Sequence, residues 1–112
     1  MNNVELIGRL TRDPELRMSR SNDPVCVMRI AVDRMGEGDE PGYVDVAVFG
    51  NSGEACARHL SKGWLVGVAG RLRYREWSGT DGQKRSALSV VGNVDFLAAP
   101  RSSERTEQRA AA

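Results

Sequence analysis

Arg71, Arg73, Arg75 and Trp77 occupy alternate positions in the stretch Leu65 to Trp77, LVGVAGRLRYREW. Successive side chains of a strand point to opposite faces. If the stretch is extended, these four share a face with Leu65, Gly67 and Ala69. The other parity, Val66, Val68, Gly70, Leu72 and Tyr74, is mostly apolar and suits a core. Guanidinium groups are costly to bury without partners, so the arginine face is expected to meet water. A row of cations ending in a flat aromatic has the chemistry of a groove for single-stranded nucleic acid, because the cations can follow phosphates while the ring stacks on a base. The same row is equally compatible with a solvated strand face that happens to end in a tryptophan.

The charge distribution bears on that choice. The 112 residues carry a formal net charge of +1, and residues 1–97 hold thirteen Lys/Arg against thirteen Asp/Glu. Within residues 58–85, however, Arg58, Lys62, Arg71, Arg73, Arg75, Lys84 and Arg85 face only Glu76 and Asp81. A nucleic-acid site in this chain must come from that local clustering rather than from overall basicity. Catalysis has no inventory here: no nucleophile with a base, no metal-ligand spacing and no phosphate-cradling loop. Binding without an enzymatic step, and without a cofactor or metal, is expected. His59 reads as a helix-face histidine, and Cys26 and Cys56 read as buried, reduced thiols rather than a zinc pair. No apolar run approaches the roughly 20 residues that span a bilayer, and the polar N-terminus does not read as a signal peptide. The expected location is the cytoplasm, on the nucleoid.

A chain of this length builds one domain, and its alternation predicts five strands. Residues 2–10 form the first, with Val4, Leu6, Gly8 and Leu10 inward and Ile7 outward, where it could meet a second subunit. Thr11–Pro24, rich in charge, Ser, Asn and Pro, reads as a long connection. Val25–Asp33 is a second strand, with Cys26, Met28, Ile30 and Val32 inward and Arg29 outward. MGEGDEPG (35–42) is a hairpin loop. Tyr43–Phe49 is a third strand whose non-core face carries Tyr43, Asp45, Ala47 and Phe49.

Asn51 as N-cap, Glu54 three residues later and Gly63 as terminator predict a short helix, with Lys62 in its last turn. Ala55, Cys56, His59 and Leu60 would give it an apolar stripe. After the fourth strand, SGTDG (78–82) is a turn, and Gln83–Leu97 is a fifth strand with Leu88, Val90, Val94 and Phe96 on one parity. Trp64, which opens the fourth strand, suits core or interface packing. Glycines inside strands mark bulges and close backbone approach, as in small closed barrels. Five strands with a helix between the third and fourth match the oligonucleotide/oligosaccharide-binding (OB) barrel. The expected class is therefore all-β, a five-stranded OB-fold barrel over residues 1–98, with a disordered polar tail over 99–112.

Four segments, GRLTRDPELR (8–17), AVFGNSGEACARHLSKG (47–63), VGVAGRLRYREW (66–77) and DGQKRS (81–86), make the chain resemble the bacterial single-stranded DNA-binding protein family, in register over residues 1–97. The resemblance implies a homotetramer, a dimer of dimers paired through the first strand, that wraps and protects single-stranded DNA with little sequence preference during replication, recombination and repair. It places base-stacking roles on Tyr43, Phe49 and Trp77, the aromatics that alternation had put on non-core faces. It places phosphate contacts on Arg71, Arg73, Arg75, Lys84 and Arg85. The residues themselves add Lys62 as a candidate and Arg9, Arg12 and Arg17 as weaker ones, although Arg17 can instead pair with Asp13 or Glu15.

Two departures stand out. The loop after the second strand has no tryptophan and carries Glu37, Asp39 and Glu40, which should repel a strand passing close. The chain also ends in RAAA rather than an acidic tip, so recruitment of repair enzymes by that route is not expected. The competing reading is an OB-fold interaction subunit or adaptor in a replication or repair complex that binds nucleic acid weakly. RNA instead of DNA is a third, since stacking and phosphate contacts do not distinguish the sugar.

Overall fold

A computed structural model describes residues 1–100. The elements are β1 (Val4–Leu10), β2 (Glu15–Met18), β3 (Pro24–Val32), β4 (Gly42–Phe49), α1 (Gly50–His59), β5 (Leu65–Ser78) and β6 (Lys84–Ala98). β1 runs antiparallel to β5, β5 to β6, and β4 to β3, while β6 lies parallel to β4 over Val46↔Val90 and Ala47↔Val91. A last short pairing, Arg9↔Ala31 and Leu10↔Ile30, joins β1 to β3 and closes a ring of five strands, β1–β5–β6–β4–β3. The helix falls between the third and fourth strands of that ring, the OB arrangement expected from the strand count.

The inward parities meet as predicted. Leu10, Cys26, Met28, Ile30, Val46, Val48, Val66, Val68 and Val90 form one buried cluster, and Cys56 and Leu60 from the helical side complete it. Cys26 and Cys56 are both buried and free. Ten residues of helix are marginal alone, so α1 depends on this packing. Gly53 lets it approach the strands, because a Cβ there would collide with the Val48 carbonyl oxygen.

The structure departs from the sequence reading in four places. First, the segment read as a connection contains β2, which pairs with β3 from Glu15↔Val27 to Met18↔Pro24. All four of its residues are exposed, so no burial pattern marked it; β3 supplies its hydrogen-bonding template.

Second, the helix is capped differently. Phe49, with extended backbone, is its N-cap and makes no side-chain cap bond, so Asn51 and Glu54 form no capping box. Leu60 is the C-cap, Arg58 and His59 occupy the last turn, and Lys62 lies beyond the end. Gly63, at φ +91°, belongs to the turn into β5 and donates its N–H to the Leu10 carbonyl at 2.9 Å. Packing on the strands, rather than local capping, sets where this helix starts.

Third, Leu72, Tyr74 and Leu88 are 45%, 55% and 57% exposed, although alternation put them with the core. β5 and β6 pair from Leu65↔Ala98 through to Ser78↔Lys84 and outrun the ring, so beyond the Gly70↔Gly92 pair β5 projects as an arm with no layer beneath it. At that pair a Cβ on either glycine would collide with backbone of the facing strand, so the arm's root is closely packed. Phe96 is likewise more exposed than expected, yet it packs edge-on against Trp64 at 6.0 Å.

Fourth, of the tail expected from residue 99, Ala99 and Pro100 are described, and Pro100 is buried, placed so that a Cβ on Gly63 would lie 3.2 Å from its own Cβ. The remaining expected tail, 101–112, lies outside the described residues. No helix among the described residues is long and apolar enough to cross a membrane.

Candidate nucleic-acid interface

Residues paired across strands share a face, so the register fixes what the arginine row of β5 looks out with. Arg71, Arg73, Arg75 and Trp77 pair with Val91, Ser89, Ala87 and Arg85 of β6. Val91 continues through Ala47 of β4 to Val27 of β3 and Glu15 of β2. On the same outer face Phe49 is followed by Val25 and Arg17, Asp45 by Arg29, and Tyr43 by Ala31. Val25, Ala47 and Val91 form a small second apolar cluster there.

β4 and β6 pair over only two residues, and a groove of about 260 Å³ opens beside that pairing. Its floor includes Val27, Ala47 and Ala87, with Asp45 and Ser89 as polar groups. Arg73 and Arg75 border it from β5, and Arg12 and Arg17 border it from the β2 side. The arginine row predicted from the sequence is thus one bank of a two-banked groove. Arg12 and Arg17 are weaker candidates in the sequence, and their placement as a second bank depends on β2 folding back along β3.

Of the nine site residues expected from the sequence, Tyr43, Phe49, Arg71, Arg73, Arg75, Trp77 and Arg85 share this outer face by register. Lys84 alternates to the opposite side at the arm's tip. Lys62 stands in the turn before β5, at the far end of that strand from Trp77, where its backbone N–H donates to Asp13 Oδ1 at 2.8 Å. All nine are exposed, as contact with a large ligand requires.

Several cations have partners already. Arg85 Nη2 lies 3.0 Å from Asp81 Oδ2. Arg17 donates from Nη2 and Nε to Glu15 Oε2, at 2.6 and 3.1 Å, and this hydrogen bond, with the guanidinium charge, holds the Glu15 carboxyl below its ordinary pKa. Arg9 Nη1 donates to the Gly63 carbonyl at 3.0 Å, an internal brace rather than a groove contact. Arg71, Arg73 and Arg75 make no ion pair among the described residues. Arg75 lies over the Trp77 ring, its Cζ 4.9 Å from the ring centroid. Arg29, read in the sequence only as outward-pointing, lies over Tyr43 at 5.1 Å. The acidic residues Glu37, Asp39 and Glu40 sit exposed in the β3–β4 loop. No group of three metal-ligating side chains occurs among the described residues.

The five-stranded ring with its interposed helix defines an OB-fold protein, and its outer face carries a groove lined by four arginines, with Tyr43, Phe49 and Trp77 elsewhere on the same face. Residues 1–97 match the family described as the single-strand binding protein family. The single-stranded DNA-binding protein of Clostridium tetani is 40% identical over 102 residues, covering 87% of this chain and 70% of that protein. Single-stranded DNA-binding protein 1 of Clostridium acetobutylicum is 38% identical over 104 residues, 87% of this chain and 94% of that protein. The corresponding protein of Thermotoga maritima is 40% identical over 99 residues, 83% of this chain and 70% of that protein. The chain belongs to the single-strand binding protein family, whose members bind rather than catalyse.

Proposed function

We propose that this protein binds single-stranded DNA in the groove between β2 and the β5–β6 arm and protects it during replication, recombination and repair, in the cytoplasm on the nucleoid. Tyr43, Phe49 and Trp77 stack on bases. Arg71, Arg73, Arg75 and Arg85 neutralise phosphates, joined by Arg12 and Arg17 on the opposite bank, with Lys84 at the arm's tip and Lys62 before β5 as outlying contacts. The observation that carries the reading is the groove bordered by Arg12 and Arg17 on one side and Arg73 and Arg75 on the other. Stacking accepts any base, at roughly 1–3 kcal/mol each, so sequence preference is small.

The assembly is a homotetramer, two dimers joined through β1. What supports this is an open strand edge: β1 meets β3 only at Arg9 and Leu10, leaving the N–H and C=O groups of its earlier residues free along that side. Such an edge is a template for pairing with another chain, and Ile7 beside it is 60% exposed.

Tryptophan fluorescence during titration with an oligothymidylate tests the DNA reading. Quenching should saturate at low salt, and log affinity should fall with log salt by about 0.7 per neutralised phosphate. Trp77→Ala should abolish most of the quenching and cost about 1–3 kcal/mol of binding. A wild type that binds nothing at low salt would overturn the reading in favour of an OB-fold adaptor. Equal affinity for an RNA strand of the same length would show that the sugar is not read.

A further inference from the structure

Three side chains on the outer face of β3 and β4 form a unit that stacking and phosphate contacts alone leave unexplained. Arg29 and Asp45 are direct cross-strand partners, with Arg29 Nη1 3.6 Å from Asp45 Oδ1. The same guanidinium lies over the Tyr43 ring, its Cζ 5.1 Å from the centroid. A ring on the proposed stacking face therefore already carries a cation, and a carboxylate stands 3.6 Å from that cation. Trp77 carries Arg75 in the same way, at 4.9 Å, but among the described residues Arg75 has no carboxylate partner. Besides the change of ring from tyrosine to tryptophan, that carboxylate separates the two platforms. Asp45 also lines the arginine groove, where a carboxylate opposes phosphates and calls for a reason.

We propose that Asp45 is a positioning residue that clamps Arg29 onto Tyr43, so that this platform stays covered until an arriving strand displaces the guanidinium, whereas the unclamped Arg75–Trp77 platform takes the strand first. The inference rests on the single-strand reading of the groove. An exposed ion pair and an exposed cation–π contact are each weak, so the clamp is reversible. On entry the base takes the face of Tyr43, and a phosphate replaces Asp45 as the partner of Arg29. Asp45 remains in the groove, where Arg73 and Arg75 balance its charge. Loading is then ordered, from the arm towards β3, by a difference of one carboxylate.

Asp45→Asn, Arg29→Met and the double variant test this by oligothymidylate titration over a range of salt, with circular dichroism confirming that each folds. Asp45→Asn should tighten binding by about threefold to tenfold. It should also steepen the log affinity against log salt slope by about 0.7, since Arg29 engages a phosphate more fully. In the Arg29→Met background the same substitution should tighten binding by clearly less, through relieved repulsion alone, and should leave the slope unchanged. If Asp45→Asn tightens binding equally with and without Arg29, Asp45 merely repels phosphates and the clamp is overturned. An Asp45→Asn variant that binds no better than wild type overturns it as well. Failure of the wild type to bind at all is a separate result, which removes the single-strand reading and the clamp with it.

Discussion

At the scale of single residues, chemistry and packing fall mostly on opposite faces of the strands within the ring, with Val25, Ala47 and Val91 as a small apolar patch on the outer face. The buried side holds no unpaired polar side-chain atom among the described residues, and its only titratable groups are two thiols. Burial pushes the Cys26 thiol up to about 11 from an ordinary 9.0, with the neighbouring Cys56 adding to the shift, and burial also raises Cys56. The unfolded chain releases these protons near pH 9, while the folded protein keeps them. The resulting stability is therefore fully present below pH 9 and is lost as pH climbs towards 11, by about 2–3 kcal/mol from Cys26 alone. Chemical denaturation from pH 8 to 10.5 should show the wild type losing stability faster than Cys26→Ala, so that the gap between them narrows. Parallel curves would mean that the thiol titrates normally. Outside, the legible residues were those with a distinctive type at a regular spacing, Arg71, Arg73, Arg75 and Trp77. Arg29 escaped because a single arginine opposite an unidentified partner carries no pattern. Its role depends on Asp45 lying across from it, sixteen residues away in the chain.

At the scale of elements, the strands were readable to within a residue or two because their inner parities are continuous apolar sets. β2 was not, since all of it faces water. The helix was placed correctly, but its caps were not, because tertiary packing overrides weak capping signals. The arm carries Arg71, Arg73, Arg75 and Trp77 of the proposed binding face, and its root depends on the crossing of Gly70 and Gly92. Gly92→Ala would push a methyl group into the backbone of β5, with a cost of about 1–3 kcal/mol seen as a lowered thermal midpoint. Gly67→Ala on the same strand pair is the contrast, since its Cβ would meet only the Leu97 side chain, with Cδ1 at an ordinary 3.6 Å. In dilute, monomeric protein it should leave the midpoint unchanged or slightly raised, a condition needed because Gly67 also lines the hollow proposed to pack a second copy. Equal effects from the two would show that close approach at the root is not the constraint.

At the scale of the whole molecule, the ring leaves two surfaces with unfinished business: the outer groove, and the open edge of β1. Near the latter, Glu5, Ile7, Gly67, Ala69 and Asp95 line a hollow of about 560 Å³ on the outside of the β1–β5–β6 sheet. Small residues and an exposed isoleucine on a sheet face suit packing against a second copy. If the proposed tetramer forms, Ile7→Arg should convert it to smaller species by multi-angle light scattering, while circular dichroism stays that of the folded ring. A wild type that scatters as a monomer at tens of micromolar would refute the assembly. Loss of the tetramer should also shorten the stretch of DNA each particle occludes.

The sequence by itself determined the number of strands in the ring, which of their faces is apolar, where the helix lies, and that cations and aromatics gather on the opposite side. These are local properties, written in alternation and residue type. Tertiary structure alone decided how the strands close, that β2 returns along β3 to bring Arg12 and Arg17 opposite Arg73 and Arg75, and that β5 and β6 outrun the ring. It alone set Asp45 against Arg29. Each of these depends on which residues far apart in the chain become neighbours, and a period-two pattern fixes the face a side chain takes but not the strand that will lie beside it.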